Sequence, residues 1–515
     1  MGITSSPLSP TSSPLPLPVA DSSTAAGEGG GVVIGLEVHC QLTRLKTKLF
    51  CGCGTDYREK EPNTNTCVIC LGHPGTLPKP NARAVELAVM AGLALNSHVS
   101  RRSAFYRKNY FYVDMSKNFQ ISMYDTGGAT PICVGGYLDI NVGPQSKRIR
   151  ITRVQLEEDP ARLVHLGTID VSPYTLVDYN RAGMALLEIV TEPDLSSPKE
   201  ARLFLQKLRS IMEHIGAFDG GLEGAMRCDA NISIRGGARV EIKNISSFKE
   251  VERALNFEIS RQRNLRRGGG SVAMETRHWD EIRRVTISLR EKEEEHDYRY
   301  FPEPDIVPIA VSDELLERVR GEMPELPDAR AERFTREYGI PRYDSLVLTA
   351  EKGVADFFER SARAYGDAKT VSNWMMGDLL GVLHEKDLEL QEAKVTPESF
   401  VEMLELVRSG EISGKIGKII LPELVVSGKP PRQIIEERGM KRITDRDLLS
   451  TIVEEVFGEN GKAVRDAIKD ERAENFLIGQ VMRKTGGKAD PQLVNETVRE
   501  RVRALRAAGA GDRSQ

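Results

Sequence analysis

Apolar and polar side chains alternate through much of the chain from Val32 to about Asp305. In the segment 33–42, Leu36, Val38, Cys40 and Leu42 alternate with Glu37, His39 and Gln41. A strand sends successive side chains to opposite faces, so Glu37 and His39 point the same way. The run from Cys228 to Ile234 is strict: Asp229, Asn231 and Ser233 lie opposite Cys228, Ala230, Ile232 and Ile234. Glu241 and Lys243 share a face of a further short strand. Gly, Pro and Asn separate these runs, as turns require. Two helical patterns interrupt them, Ala82 to Leu95 and Pro198 to Ile215. The second follows Ser196 and Ser197, both suited to capping, with Pro198 in the first turn.

Beyond Pro304 the period changes. Pro302, Pro304 and Pro308 stiffen a junction, and helices are predicted over Asp313 to Met323, Pro327 to Tyr338 and Gly353 to Tyr365. From Thr396 shorter helices follow, broken by Gly410, Gly414, Gly417, Gly428 and Gly439, with starts at Thr396-Pro397 and Asp490-Pro491. The pattern predicts an α+β chain. A leader covers 1–31, a β-rich domain 32–305, a helical domain 306–395 and a small all-helical tail domain 396–508. Residues 509–515 are expected to fray.

Composition narrows the class. The 515 residues are 40% hydrophobic and 28% charged, with a net charge of −4. That excludes a strongly basic nucleic-acid coat but not a local basic patch. No run supplies the roughly 18 apolar residues of a spanning helix. Residues 1–31 contain no Lys or Arg and no apolar stretch, which argues against an export signal and predicts disorder there. A cytoplasmic, reducing setting is the expectation, with no membrane partner.

Four of the seven cysteines fall within twenty residues: Cys51-Gly-Cys53, then thirteen residues, then Cys67-Val-Ile-Cys70. Two close pairs across a loop are the layout of a four-thiolate zinc site, and a filled shell makes it structural. Two disulfides or four free thiols are the alternatives. Cys40, Cys133 and Cys228 sit in apolar alternation as core residues.

The polar faces are rich in Glu, Asp, His and Asn, whereas an ordinary outer sheet face favours Thr, Lys, Arg and β-branched residues. Glu188 interrupts the apolar run 184–190, where a carboxylate is costly unless paired or bound to a cation. Glu157, Glu158 and Asp159 stand in a row. Oxygen ligands with one imidazole suit Mg²⁺ or Mn²⁺, and Mg²⁺ held by few carboxylates accompanies phosphates. Arg107, Lys108, Arg181, Arg227 and Lys243 are basic residues close in sequence that could face phosphates. No Walker A loop is present: the nearest stretch, Gly410 to Ile416, has the wrong glycine spacing and lacks the Ser or Thr after Lys415.

These residues carry a family likeness. The stretches 33–41 (VIGLEVHCQ), 63–78 (NTNTCVICLGHPGTLP), 107–112 (RKNYFY), 155–159 (QLEED) and 178–194 (DYNRAGMALLEIVTEPD) resemble the B-subunit family of aspartyl/glutamyl-tRNA amidotransferases. So do 226–233 (MRCDANIS), 241–248 (EIKNISSF), 275–279 (ETRHW), 297–308 (DYRYFPEPDIVP), 372–377 (SNWMMG) and 491–494 (PQLV), so that the likeness covers about 32–508. It implies a heterotrimer with an amidase (glutaminase) subunit and a small third subunit. It implies a β-rich cradle that holds the 3′ end of misacylated tRNA and phosphorylates its side-chain carboxylate with ATP and Mg²⁺. Ammonia from glutamine then displaces phosphate, giving Gln-tRNA(Gln) or Asn-tRNA(Asn). By this resemblance His39, Glu158 and Glu188 fall on Mg²⁺-binding positions, with Glu37, Glu157 and Asp229 added beside them. Glu37 joins His39, Glu158 and Glu188 as a catalytic candidate. Arg107, Lys108, Arg181 and Lys243 are candidates for ATP or the tRNA end. The related type with an inserted synthetase-like domain is excluded, because no spare stretch of that size lies between cradle and tail.

The helical tail implied to contact the tRNA body has 20 Lys and Arg against 19 Asp and Glu over 396–506, far from a simple basic footprint. Arg483, Lys484 and Lys488 beside Gly486-Gly487 are the candidate phosphate contacts. Two other classes stand beside the ligase: a zinc-bearing RNA-binding scaffold without catalysis, and a metal-dependent hydrolase. The scaffold leaves Glu188 and the Glu37/His39 pair unexplained, and the hydrolase would need no ATP.

Overall fold

The structure is a computed structural model that describes residues 31–111, 115–124, 130–165, 172–219, 222, 224–291, 295–440, 446–486 and 489–511. Of the expected features, nearly all of the leader and Lys488 lie outside these residues.

One 13-stranded sheet organises the first part of the chain. Its main strands are β1 (Val32–Gln41), β2 (Phe105–Asn109), β3 (Phe119–Met123), β4 (Gln145–Glu158), β5 (Ala185–Thr191), β6 (Met226–Ile234), β7 (Val240–Lys243), β8 (Glu275–Asp280) and β9 (Val285–Glu291). Three helices belong with it: α1 (Ala82–Ala94), α2 (Pro198–His214) and α3 (Phe248–Arg267). Across the sheet the order is β9-β8-β7-β6-β1-β5-β4-β3-β2, closed by the short strand Phe301–Pro302. Neighbours along this path are antiparallel except β7 and β8.

Alternation decides the two faces. Ile34, Leu36, Val38 and Cys40 of β1, Val154 and Leu156 of β4, and Leu187 and Ile189 of β5 are buried in one core with residues of all three helices, such as Leu87, Phe204 and Leu255. The opposite face is polar, and strand register aligns its members. His39 lies between Arg227 and Glu188, Glu37 lies opposite Asp229, and Leu186 lies opposite Glu157.

Helix starts follow their caps. Asn81, Ser197 and Ser247 each accept a backbone N–H at the first turns of α1, α2 and α3. Ser196 does not cap α2; its backbone N–H and hydroxyl donate to the Glu200 carboxylate instead. The helices expected over 313–323 and 353–365 run Asp313–Gly321 and Lys352–Tyr365, differences confined to their ends.

The remainder is helical, as the patterning predicts, and the whole is α+β. It forms two further apolar clusters, one from Phe334 to Ile435 and one from Leu449 to Val502. The boundary expected at 395 falls inside the first of these. The last helix, Pro491–Gly511, continues into the stretch expected to fray. Among the described residues no helix is long and apolar enough to cross a membrane.

Candidate active site and metal centres

The polar face of β1, β4, β5 and β6 floors a cavity of about 510 Å³ lined by Glu37, His39, Lys108, Glu157, Asp229 and Lys243. His39 is its hub. Its Nε2 lies 3.3 Å from Glu157, 3.7 Å from Glu188 and 3.8 Å from Glu37. Burial alone would push the imidazole toward neutrality, but the hydrogen bonds and charges of Glu157 and Glu188 outweigh it and hold its pKa well above the usual value. Burial also opposes ionisation of Glu188, yet His39, Arg153 and Lys108 pull its pKa down to about 2. Glu37 moves the other way, raised by burial and by the neighbouring Glu188 charge. One oxygen from Glu37, one from Glu188 and a nitrogen of His39 lie within 4.8 Å of one another. Two carboxylates and an imidazole in that space fit a hard divalent cation.

Cations and phenols surround the group. Lys108 is half-buried with its Nζ 4.8 Å from the centre of the Tyr298 ring, and Tyr110, Tyr300, Glu157 and Glu188 hold its pKa well above the usual value against the cost of desolvation. Arg153 reaches Glu188 at 3.3 Å. Lys243 pairs with Asp229 at 2.5 Å and lies 3.7 Å from Glu241. Asp229 therefore belongs to the wall through Lys243.

The structure does not bring Glu158 to this group. It follows Glu157 on β4, so alternation turns it to the other side of the sheet. There it is fully buried, paired with Lys117, and accepts the backbone N–H of Ile121 at 2.9 Å. Arg107 is on that side for the same reason. It binds Glu303 at 2.5 and 2.9 Å and Asp305 at 3.3 Å, in a second cavity of about 460 Å³ next to the cysteine loop. Arg181 and Arg227 both hold Asp159, at 3.0 and 2.9 Å. Of the four candidates for ATP or the tRNA end, Lys108 and Lys243 thus line the wall, whereas Arg107 and Arg181 are engaged by carboxylates elsewhere.

The four sulfurs of Cys51, Cys53, Cys67 and Cys70 lie within 4.8 Å of one another, and none of the seven cysteines is in a disulfide. The donor set fits a thiophilic tetrahedral cation. The Cys70 thiol is pulled down to about 4, first by a hydrogen bond from Cys51 and then by the Cys67 N–H and Lys48. The same loop grips the turn that leads into β5. Asn63 donates to Asp178 and to the Val177 carbonyl, and accepts from the Tyr179 N–H. The Asn65 N–H donates to the buried Asn180 side chain at 2.7 Å, and Asn180 donates back to the Glu61 carbonyl.

Comparison with known proteins decides what frame this site belongs to. Residues 32–317 match the family model described as the GatB/GatE catalytic domain, and residues 356–502 match the one described as the GatB domain. The chain belongs to the B-subunit family of these amidotransferases. It is 50% identical over 470 residues to a relative from Sulfurisphaera tokodaii described as the B subunit of aspartyl/glutamyl-tRNA(Asn/Gln) amidotransferase, covering 91% of this chain and 99% of that one. Relatives of the same description from Carboxydothermus hydrogenoformans (47% over 481 residues, 92% and 99% covered) and Thermotoga maritima (48% over 477 residues, 91% and 98% covered) agree. The wall and the cysteine loop both lie inside the stretch matched to the catalytic domain of this family.

In the family's second matched stretch, Arg483 is exposed at the end of the helix Glu474–Lys484. Lys484 pairs with Glu455 at 3.0 Å and Glu459 at 2.6 Å. Sequence reasoning missed Lys117, Arg153 and the ring group Tyr110, Tyr298 and Tyr300. The alternation Arg153-Gln155-Glu157 was there to be read, and so was Tyr298-Arg-Tyr300. Lys117 gave no such signal, since it sits at φ 63° outside any strand.

Proposed function

We propose that this chain is the subunit that activates the side-chain carboxylate of misacylated Glu-tRNA(Gln) or Asp-tRNA(Asn) and passes it to ammonia from a partner glutaminase, in a heterotrimer with that subunit and a small third one. The observation that carries this reading is the Glu37–His39–Glu188 group, with Glu157, of which Glu37, His39 and Glu157 line a cavity shared with Lys108 and Lys243. A carboxylate resists ammonia because oxide is a very poor leaving group. Transfer of the ATP γ-phosphoryl group to it creates a phosphate leaving group, and this chemistry needs positioning and charge neutralisation more than a protein nucleophile. Glu37, His39 and Glu188, with Glu157 rather than Glu158, are the residues that would hold Mg²⁺. When bound, Mg²⁺ screens the phosphate charges. Lys108 is fixed as a cation between rings and carboxylates, so it can meet the transferred phosphoryl group without moving. Lys243 is shared by Asp229 and Glu241 and can turn to a phosphate or to the tRNA end.

The four cysteines hold a structural Zn²⁺ as thiolates in this reading, and a reducing cytoplasm keeps them out of disulfides. Arg483 is the best placed of the tail residues to touch the tRNA body. The test is ADP release by the chain assembled with its two partner subunits, given ATP, Mg²⁺ and misacylated tRNA but no glutamine. Wild type should release ADP only with the charged tRNA, and Glu188→Gln should abolish it. Release that persists in a folded Glu188→Gln complex would move activation off this wall.

A further inference from the structure

After Trp279, Lys48 is the largest fully buried side chain among the described residues. An ammonium enclosed in protein is costly unless a counter-charge meets it. Among the described residues no carboxylate lies within 4.0 Å of it. Its Nζ donates to the Asn65 carbonyl at 2.8 Å and to the Cys70 sulfur at 3.8 Å. Cys70 is the buried member of the quartet, whereas Cys51, Cys53 and Cys67 are partly open to solvent. Its sulfur also accepts the Cys67 N–H at 3.0 Å. The enclosure is completed by Gly183 at φ 81°, where a Cβ would stand 3.3 Å from that of Cys70 and 3.5 Å from Cδ of Lys48.

Neutral thiols would leave this cation without a counter-charge. Four thiolates around a divalent cation carry a net charge of about −2, and only the sulfur facing Lys48 lacks water to spread it. We propose that Lys48 is the internal counter-cation of the four-cysteine site, a positioning residue that holds the Cys70 sulfur as a ligand and sets how firmly zinc is retained. The proposal rests on the reading of the quartet as a zinc site. It explains why a lysine is sealed where water cannot reach it, and why the seal is made by the turn that leads into β5.

The experiment measures zinc content and the rate of zinc transfer to a chelating dye, on the full chain in its assembled complex. Lys48→Met removes charge and hydrogen bond, and Lys48→Gln keeps a hydrogen-bond donor without the charge. Both should release zinc about tenfold faster than wild type, the scale of lost outer-shell partners. Cys53→His replaces a partly exposed thiolate with a neutral ligand, so in that background the loss of Lys48 should accelerate release far less. A folded Lys48→Gln variant with the wild-type release rate would overturn the role of Lys48 while leaving the zinc site standing. Equal acceleration in the wild-type and Cys53→His backgrounds would also overturn it, because packing alone would give that result. Wild-type complex purified without zinc, and unable to take it up, would refute the zinc reading itself.

Discussion

The imidazolium of His39 should make Mg²⁺ binding a proton-releasing reaction. Its Nε2 lies within 3.8 Å of three carboxylates, of which Glu157 and Glu188 raise its pKa well above the ordinary value. A protonated ring nitrogen cannot ligate a metal, so an ion taken up through His39 must displace one proton. Each such contact of opposite charges is worth up to about 4 kcal/mol at an effective dielectric near 20 before desolvation is set against it. The proton is therefore held above the ordinary range of an imidazole. While pH stays below the raised pKa, the apparent Mg²⁺ affinity should rise about tenfold per pH unit, roughly 1.4 kcal/mol. Titration calorimetry of the assembled complex at about pH 6, 7 and 8, in buffers of different ionisation enthalpy, should give about one proton released per ion. His39→Gln should flatten the slope. The same raised pKa makes His39 a stabilising group in the metal-free protein at low pH, its contribution fully present below the unfolded value and lost as pH rises through the folded one. Affinity independent of pH, with no protons released, would show that the ion sits on the carboxylates without the imidazole and would refute the argument.

Other outcomes follow from buried pairs and constrained backbone. Lys117→Met removes the counter-charge of Glu158 in the interior and leaves it only the Ile121 N–H, and the first thermal transition should fall by an amount matching about 3–5 kcal/mol, with Lys117→Met/Glu158→Gln recovering much of it. Gly183→Ala forces a side chain into the left-handed region against Cys70 and Lys48; it should cost at least about 1–2 kcal/mol in denaturant unfolding, whereas the same change at Gly377, which meets nothing within 4 Å, should not. Arg483→Ala should weaken tRNA binding and lower its salt dependence by about one counter-ion, while Lys484→Ala, already paired with two glutamates, should change the slope less.

Much of this was legible in the chain. Period-two patterning around His39 and Asp229 names the polar face, and the cysteine spacing names the second centre. What patterning could not supply is register between strands. Three acids in a row, Glu157, Glu158 and Asp159, look equivalent in one dimension. Pleating sends the first to the wall and the second to the far cavity, and the strand ends before the third, which clamps Arg181 and Arg227. Arg107 and Lys108 part company by the same rule. Lys48 was invisible because nothing in a lone lysine between Thr47 and Leu49 signals burial; only the loops folded over it make it an interior residue.

The bonds from Asn63 and Asn65 to the turn at 178–180 span about 115 residues of chain. During synthesis the cysteine loop is complete long before its clients emerge. In the proposed zinc-bound form the loop would stand ready as a template, and β5, which brings Glu188, would be recruited onto it. Metal scarcity would then be felt first by the nascent chain, as molecules that never assemble their wall, and only secondarily as a slow finished catalyst.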